Sequence, residues 1–584
     1  MVAVAFGSGA VPVAVGLLVR LIVDDLVGKS ATTLSLIGLG VGITVATLAG
    51  AWCQPVVVYG ISTLRRTTTL SMQGRLFAAV AQNPGIRSFE DPAAMDRLRL
   101  AQVAGESAPS QALQSAVILI AAFVTLAGFL LSLALIAPIL AAIVGVAALP
   151  DMAIQLSLGR LRLRTQQKTA SHLRRQVFYT MLQQDEPAAR ELRLFGFWRY
   201  IHHRMQGELA TINSLELAVD RRQLVLELMS GSAGVVVAGG GLVLSILWVM
   251  RGSLSVGDIA LYLSAVAGTQ GSLAGIMQAI GQLTEAAGGF AQYESCVTAR
   301  PDIAIASSPS ALASLKLGLR LENVWFRYAD HLPWILSGVT FEIPAKATVA
   351  LVGRNGAGKS TIVKLLCRFY DPSRGRILWD GVDIREFDVI DLRSKISAVF
   401  QDFMCYDFTL AENIGIGDLS RMNQQSDIRS AAEAVGLQEV AERLPDGYDT
   451  MLSRIFVTAE QERSGARLSG GEWQRVALAR SFLRRDMELV VLDEPSAGLD
   501  AASEEAFHAR MVGPSHGHST LLVTHKMGAA RLAERIVVLR DGRVSDIGSH
   551  EELLGRSEIY SKLFRAQAAP FVHGATSGSA GLAS

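Results

Sequence analysis

Six apolar runs, each near the length that a helix needs to cross a lipid bilayer, dominate the first half of this sequence. The runs span residues 2–23, 34–58, 112–133, 135–155, 228–250 and 256–280. About 20 apolar residues suffice for one crossing helix, and Pro138 suits a tight turn between the third and fourth runs. Residues 1–10 carry no basic segment, so the first run is not a secretory signal. We therefore expect six membrane spans.

Charged residues are unevenly distributed along the chain. Only 18% of the 584 residues are charged, against about 25% in an ordinary soluble chain. The first 299 residues hold 38 charged side chains and the rest hold 69, which excludes an ordinary soluble enzyme and a disordered chain. The scattered Cys53, Cys296, Cys367 and Cys405 support neither a zinc site nor a disulfide framework. A net charge of +1 argues against nucleic acid as a partner.

The connections between the apolar runs differ in their content of basic residues. Six arginines lie between positions 65 and 99, and twelve Lys or Arg lie between positions 160 and 222. The other short connections carry only Lys29 and Arg251. Because basic connections stay on the cytosolic side, we expect the two long connections and both termini to face the cytosol.

The two long connections have the composition of helices rather than of loops. Residues 158–214 show an amphipathic helical pattern with arginines on the polar side, so the membrane helices are expected to extend well into the cytosol. Most of these charges are interpreted as merely solvating the helices. Two short apolar and aromatic stretches, at 87–95 and 177–183, fit that interpretation less well, and a helix reversal there would present them to a partner.

The second half carries a glycine-rich motif after short β-rich runs. A Ser-, Ala- and Pro-rich linker is predicted at 302–315, and the β-rich runs are residues 319–326, 339–343 and 348–351. The segment GRNGAGKS at 353–360 matches G-x-x-x-x-G-K-[ST], with an apolar strand before it and a helical run after it. Its backbone N–H groups would surround phosphates, Lys359 would bind the β- and γ-phosphates, and the Ser360 hydroxyl would bind Mg²⁺.

A second apolar strand, at 489–492, ends in Asp493 and Glu494. An acidic residue at the end of a buried strand can hold Mg²⁺, and the next carboxylate can polarise an attacking water molecule. Two adjacent acids can equally begin a solvated turn, so this pair taken alone leaves both interpretations open.

Between these strands lies LSGGEWQRVALARS, at 468–481, in which a serine and two glycines open a strongly helical run. Such a helix N-terminus suits an anion. The segment is similar to the LSGGQ signature of the ATP-binding cassette superfamily, with Glu472 in place of the glutamine. FEDPAAMDRL and ELRLFG in the first half are similar to loop segments of that family. The resemblance implies an exporter-type half-transporter, with an α-helical six-span membrane domain, long cytosolic helix extensions and a C-terminal α/β P-loop ATPase domain.

Further elements of the resemblance follow in the family's order. Tyr328, 25 residues before Gly353, is similar to the aromatic residue that stacks on adenine. Gln401 is similar to the glutamine that links the γ-phosphate and Mg²⁺ to the membrane part. Residues 496–500 (SAGLD) are similar to the D-loop, and His525 is similar to the switch histidine. The resemblance assigns ATP binding to Tyr328, Gly353, Asn355, Gly356, Gly358, Lys359, Ser360, Thr361, Ser469, Gly470 and Gly471. It assigns Mg²⁺ to Ser360, Gln401 and Asp493, and catalysis to Glu494, His525 and Gln401.

In this family ATP binds between two cassettes, so the resemblance implies a dimer. One copy would supply the loop at 353–360 and the catalytic residues, and the other would supply Ser469, Gly470 and Gly471. Every element is present in this one chain, which favours a homodimer, and a related half-transporter is the alternative partner. Coupling helices that dock onto the ATPase domain are expected near residues 88–95 and 178–183.

The resemblance also sets the expected domain boundaries. We expect a membrane domain at 1–298, a linker at 299–317, an ATP-binding cassette domain at 318–566 and a disordered tail at 567–584. Two features depart from the family: the chain starts almost inside its first span, and the stretch before the signature, at 451–467, is longer than usual.

The aliphatic membrane runs favour a hydrophobic or amphipathic substrate (a peptide, natural product, drug or lipid) over a sugar or an ion. FEDP, RLFG and FQDFMCYDFTLAENI resemble half-transporters from bacterial peptide and natural-product gene clusters more than lipid A flippases. We therefore expect an exporter in contact with membrane lipid, in a bacterial plasma membrane. An importer on the same fold and a membrane-anchored ATPase that signals without transporting are the alternatives.

Asp151 is a charged residue inside the fourth apolar run, directly after Pro150. By the predicted boundaries it lies about 24 Å below the outer edge, within a hydrocarbon core of about 30 Å. One interpretation is that Asp151 lines an inward-facing cavity and contacts a cationic substrate. The other is that the span ends a turn earlier and Asp151 meets interfacial water.

Overall fold

The computed structural model describes residues 1–28, 32–453, 465–495 and 517–572. The chain divides into two compact units. The helical unit comprises Met1–Ala81 and Ala93–Ala299, and the sheet unit comprises Gln82–Pro92 and Arg300–Ser584. A short piece of the first long connection therefore packs with the C-terminal half of the chain, although helices of the other unit flank it on both sides.

Six long helices and one of nine residues make up the described part of the helical unit, and a further short helix lies in the segment that packs with the sheet unit. The helices are α1 (Val2–Val27), α2 (Thr33–Gln82), α3 (Arg87–Glu90, in the sheet unit), α4 (Pro92–Ile136), α5 (Pro138–Met181), α6 (Glu186–Leu194), α7 (Trp198–Met250) and α8 (Val256–Val297). Five of the six predicted apolar runs lie inside one long helix each, and the fourth begins in the last turn of α4 and continues in α5. The helices α2, α4, α5 and α7 continue into the two long connections, which are therefore mostly helical.

Five described helices are long and apolar enough to cross a membrane: α1, α2, α4, α7 and α8. The fourth predicted run falls in α5, where the apolar stretch found among the described residues is the shorter Pro138–Ala147. Many apolar side chains of α2 face outward, among them Leu34, which is 82% exposed, and Trp52, which is 66% exposed. A lipid environment accommodates such a surface, whereas water would not.

Polar groups of the helical unit are paired where α1 meets α8. The Asp24 carboxylate accepts hydrogen bonds from the Ser255 hydroxyl (2.9 Å) and the Gly257 N–H (2.7 Å), and Arg20 lies 2.7 Å from the buried Asp258. Charged groups at membrane depth are costly unless they are paired in this way. The pairing fixes the C-terminal end of α1 against the N-terminal end of α8.

The amphipathic stretch predicted at 158–214 is helical but interrupted. The chain leaves α5 after Met181, and Asp185 caps α6 by accepting a hydrogen bond from the Ala188 N–H. The second expected coupling helix, at 178–183, is therefore not a separate helix: it is the end of α5 and the turn that follows. Phe178 and Met181 are more than half exposed there.

The described part of the sheet unit contains two sheets. Its strands are β1 (Gly318–Phe326), β2 (Leu336–Pro344), β3 (Thr348–Gly353), β4 (Arg374–Trp379), β5 (Val382–Asp383), β6 (Ile396–Val399), β7 (Leu489–Asp493), β8 (Ser519–Val523), β9 (Arg535–Arg540) and β10 (Arg543–Gly548). The smaller, antiparallel sheet has the order β2-β1-β4-β5, and the larger sheet has the order β10-β9-β3-β8-β7-β6. All β-rich runs predicted from the sequence correspond to strands.

Helices pack around these sheets and complete the hydrophobic core. They are α9 (Lys359–Leu366), α10 (Val389–Ser394), α11 (Leu410–Gly415), α12 (Gln425–Ala434), α13 (Gln438–Arg443), α14 (Gly470–Phe482), α15 (Met527–Ala530), α16 (His550–Arg556) and α17 (Glu558–Val572). Every residue of β3, β7 and β8 is buried. Such continuous burial is typical of parallel strands covered on both faces.

The topology brings the ends of four parallel strands to one edge. The strand pairs β3–β8, β7–β8 and β6–β7 are parallel, so the segments that follow β3, β6, β7 and β8 emerge side by side. Ligands of open α/β sheets bind outside the carboxyl ends of such strands. The sequence places its motifs in these segments.

The predicted linker and tail are more ordered than expected. Ile303 and Leu315 are buried, and the Asp380 carboxylate accepts backbone hydrogen bonds from residues 316–318. The tail predicted to be disordered from residue 567 is helical up to Val572, because α17 continues that far; residues 573–584 lie outside the described residues.

Candidate nucleotide-binding site

The glycine-rich loop at 353–360 connects β3 to α9. Gly358 has a φ of +102°, in the left-handed region that favours glycine, and a Cβ on Gly353 would lie 2.4 Å from the carbonyl oxygen of Leu539. Gly358 is therefore required by the turn, and Gly353 by the close approach of β9. The loop leads into the N-terminus of α9, where backbone N–H groups favour phosphate.

The Lys359 side chain is held within this loop. It is 7% exposed, and its Nζ donates hydrogen bonds to the carbonyl oxygens of Gly353 (2.9 Å) and Arg354 (3.2 Å). Burial lowers the pKa of Lys359, while the carboxylates of Glu494 and Asp493 act in the opposite direction. A cation fixed at this place supplies positive charge to the loop's anion site.

Ser360 and Asp493 are adjacent. Asp493 ends β7 and is 5% exposed; burial raises its pKa, and a hydrogen bond from Ser360 counteracts part of that shift. Ser360 lines the cleft, whereas Asp493 is not among the residues that line it. A hydroxyl and a carboxylate are oxygen donors of the kind that Mg²⁺ prefers. The described residues contain no cluster of three His, Cys, Asp or Glu that could hold a metal ion.

The Glu494 carboxylate lies between two side chains. Gln401, which follows β6, donates a hydrogen bond to its Oε2 (3.0 Å), and Nδ1 of His525, which follows β8, lies 3.1 Å from its Oε1. Glu494 has a φ of +52°, which a glutamate seldom adopts. Gln474 of α14 donates hydrogen bonds to the backbone carbonyls of residues 494 and 495 and so helps to hold this conformation.

Tyr328 also lines the cleft. Its hydroxyl is 3.3 Å from the Thr361 hydroxyl, and its ring meets the rings of Phe326 and Tyr370 edge to face, at centroid distances of 5.0 and 5.4 Å. The Tyr328 ring is half-buried, and the Lys364 ammonium lies over it, 5.4 Å from the ring centroid.

The segment at 82–92 contacts the residues around Tyr328. The Arg87 guanidinium donates a hydrogen bond to the Tyr328 carbonyl oxygen (2.9 Å), and the Glu90 carboxylate accepts hydrogen bonds from Lys364 and Tyr370. Burial would raise the pKa of Glu90, but the Lys364 and Tyr370 hydrogen bonds outweigh it and leave the pKa lowered. The first expected coupling segment thus lies against the aromatic wall of the cleft.

The signature residues Ser469, Gly470 and Gly471 are not part of the lining of this cleft. Ser469 caps α14, and the Glu472 carboxylate accepts hydrogen bonds from the Ser469 N–H (2.8 Å) and hydroxyl (2.9 Å). Arg443 also donates to Glu472 (2.7 Å). Ser469, Gly470 and Gly471 do not line the cleft that Lys359 lines; they are open to contact from outside the chain.

The cleft measures about 1000 Å³. The sequence-predicted residues that line it are Tyr328, Gly353, Asn355, Gly356, Gly358, Lys359, Ser360, Thr361, Gln401, Glu494 and His525. It is also lined by residues that the sequence did not indicate: Ile335, Val352, Arg354, Thr524, Met527, Asp541, Leu563 and Gln567. Arg354 lies within the glycine-rich motif at 353–360 and Thr524 directly precedes His525, so the recognised motifs could have indicated both. Leu563 and Gln567 come from α17 and carry no such signal.

Some predictions fall outside the described residues. These are the D-loop prediction at 496–500, most of the lengthened stretch at 451–467, and the side chain of Asp151.

This chain has a glycine-rich loop at the end of a central parallel strand, and a carboxylate, a glutamine and a histidine converge on that loop. Such an arrangement defines a P-loop ATPase. The same chain carries a bundle of apolar helices. Residues 336–497 match the family model described as ABC transporter. A bacterial Atm1-family ABC exporter, solved with ATP bound, is similar in fold over 97% of this chain and 97% of its own length, with a TM-score of 0.79 and 22% identity. The chain thus has an ABC transporter ATPase domain within an ABC exporter fold.

Curated relatives agree with this assignment. An uncharacterized ABC transporter ATP-binding protein of Bacillus subtilis, YwjA, is 34% identical over 56% of this chain and 54% of its own length. A lipid A-core flippase of Alkalilimnicola ehrlichii is 38% identical over 43% of this chain and 40% of its own length. The subtilin transport ATP-binding protein SpaT of Bacillus subtilis is 26% identical over 83% of this chain and 77% of its own length. The matches thus span about half or less of the first two relatives.

Proposed function

We propose that this chain is one half of an ATP-driven exporter that moves a hydrophobic or amphipathic substrate out of the cytosol. The arrangement of Lys359, Gln401, Glu494 and His525 around one cleft carries the proposal. In this proposal Glu494 accepts a proton from the attacking water, and the Gln401 and His525 side chains hold its carboxylate in place. The apolar helices supply the membrane path.

Mg²⁺ is the metal ion that the site fits. Ser360 and Asp493, with Gln401, would hold it, and it would neutralise charge on the phosphates during hydrolysis. Lys359 and the N-terminus of α9 bind the same phosphates without the metal. Tyr328 would stack on the adenine ring.

A second copy of the chain completes the nucleotide site in this proposal. Ser469, Gly470 and Gly471 stand at the N-terminus of a helix and away from the cleft of their own chain, and that position suits contact with a γ-phosphate bound to another copy. All elements of the composite site are present in one chain, which favours a homodimer over a heterodimer with a related half-transporter.

A bacterial plasma membrane is the proposed location, with the ATPase domain and both termini in the cytosol. The concentration of basic residues in the two long connections supports this orientation. A peptide or natural product is the proposed substrate class, since the relative matched over 83% of this chain is a subtilin transport protein.

The test is ATP-dependent transport by the purified protein in liposomes with the ATPase domain outside. We expect a panel of fluorescent amphipathic peptides to include members that stimulate hydrolysis and accumulate inside the liposomes. Glu494→Gln should bind ATP but hydrolyse it at least about 100-fold more slowly and abolish accumulation. Movement of the peptides only in the opposite direction would indicate an importer. If no peptide of the panel stimulates hydrolysis and none is transported, the protein is an ATPase without transport.

A further inference from the structure

The side chain of Gln567 binds the backbone on both sides of Lys526, in the loop after β8. Its Nε2 donates a hydrogen bond to the His525 carbonyl oxygen (2.6 Å), and its Oε1 accepts one from the Met527 N–H (2.8 Å). A primary amide carries both a donor and an acceptor, so one side chain can satisfy a carbonyl and an N–H at the same time. The two bonds fix the main chain from which the His525 imidazole projects.

Apolar packing holds α17, the helix that carries Gln567. Tyr560 is fully buried in a cluster with Met527, and Leu563 and Phe564 pack against that cluster. The Tyr560 hydroxyl also lies 2.7 Å from Nδ1 of His550. Because the helix is anchored there, Leu563 and Gln567 form part of the cleft wall beside His525.

A continuous set of contacts runs from Gln567 to the carboxylate assigned to catalysis. Gln567 holds the backbone of His525, the His525 imidazole lies against Glu494 Oε1, and Gln401 donates to Glu494 Oε2. We propose that Gln567 is a positioning residue, which holds His525 so that its imidazole stays against Glu494. This inference rests on the proposed ATPase function and adds a residue from outside the recognised motifs.

The test compares Gln567→Ala and Gln567→Glu in the full chain in lipid. Loss of the two hydrogen bonds should lower kcat for ATP by about tenfold and leave KM within about twofold. Gln567→Glu should be at least as defective, because it places a charged carboxylate oxygen against the His525 carbonyl oxygen, to which it cannot donate and which repels it. Arg565→Ala, an exposed change on the same helix, should match the wild type.

Two further measurements separate positioning from general stability. If Gln567 acts through His525, the double variant His525→Ala/Gln567→Ala should be no slower than His525→Ala alone. The Met527 amide should exchange faster with solvent in Gln567→Ala than in the wild type. Unchanged Met527 exchange, an unchanged kcat, or additive effects with His525→Ala would overturn the inference.

These outcomes are distinct from failure of the proposed function. That function fails if the wild type does not hydrolyse ATP or if Glu494→Gln retains full activity. The positioning role fails if Glu494→Gln abolishes hydrolysis while Gln567→Ala leaves kcat unchanged. The Met527 exchange rate tests the two hydrogen bonds whether or not hydrolysis is found.

Discussion

Glu90 lies 280 positions before Tyr370 in the chain, yet its carboxylate accepts the hydrogen bond of the Tyr370 hydroxyl. The Tyr370 ring in turn meets the Tyr328 ring edge to face. The segment between two long membrane helices therefore reaches the aromatic wall of the nucleotide cleft at two places, Tyr370 through Glu90 and the Tyr328 backbone through Arg87. A change at Tyr328 on nucleotide binding can reach that segment directly.

Weakening this contact should release the segment from the sheet unit. In Glu90→Gln the amide can still accept from Tyr370 but loses its charge pairing with Lys364, and hydrogen bonds to charged groups are roughly twice as strong as neutral ones. We expect faster hydrogen exchange across residues 82–92, retained basal ATP hydrolysis and reduced stimulation by substrate. Glu551→Gln, at an exposed carboxylate on α16, is the matched control. Unchanged exchange and unchanged stimulation would show that Glu90 does not couple the two processes.

The same contact should be insensitive to pH near neutrality. The pKa of Glu90 is lowered. Its contribution to the stability of this contact is therefore present above the ordinary glutamate pKa of about 4.3 and is lost only as pH falls through the lower pKa of the folded state. The pKa of Lys364 is raised by Glu90, against the opposing effect of burial, so its contribution is lost only above about pH 10.4. Exchange protection of residues 82–92, corrected for intrinsic rates, should stay flat between about pH 6 and 9. A midpoint near pH 7 would contradict the assignment of this contact to Glu90 and Lys364.

The Glu472 carboxylate places a negative charge beside the serine and glycines assigned to the γ-phosphate. Burial would raise the pKa of Glu472, but the Ser469 hydrogen bonds and Arg443 lower it overall, so the group is ionised at neutral pH. Glu472→Gln should lower KM for ATP by about twofold to fivefold at low salt, and less at high salt. Arg443→Ala should raise KM, and the double variant should behave like Glu472→Gln. An effect independent of salt would exclude an electrostatic role.

Lys359 and Glu494 should give different defects. Lys359→Ala removes the buried cation of the phosphate loop, so it should lose nucleotide affinity as well as turnover, whereas Glu494→Gln should retain affinity. Equilibrium binding of a fluorescent ATP analogue distinguishes them. Equal affinity in the two variants would show that Lys359 does not bind the phosphates.

The sequence indicated the parts of the site that consist of short continuous segments. The loop from Gly353 to Ser360 has its strand before it and its helix after it, and its glycines are required by local geometry, so the motif alone located it. Gln401, Glu494 and His525 each follow a strand, and parallel pairing brings the ends of these strands together. Resemblance supplied their roles, and topology explains their convergence.

Contacts between distant segments had no such signal. Gln567 lies on α17 and binds the loop after β8. By its sequence pattern it is an ordinary exposed glutamine, so the sequence analysis assigned it to a disordered tail. Glu90 was placed near a coupling segment, but its partners Lys364 and Tyr370 depend on how that segment docks. The long cytosolic extensions of the membrane helices were predicted, because amphipathic periodicity continues where the apolar runs end; the exact helix ends depend on turns such as the one after Met181.

The central claim is that each nucleotide site combines the phosphate loop of one copy with the signature of another. Lys359→Ala and Ser469→Arg chains, carrying different affinity tags, should each be inactive when expressed alone. When the two chains are co-expressed and purified through both tags, each mixed dimer contains one site with an intact loop and an intact signature. The account predicts that ATP hydrolysis returns in the doubly purified protein. If the doubly purified dimer is as inactive as the two single variants, the site is completed within one chain, and the claim is wrong.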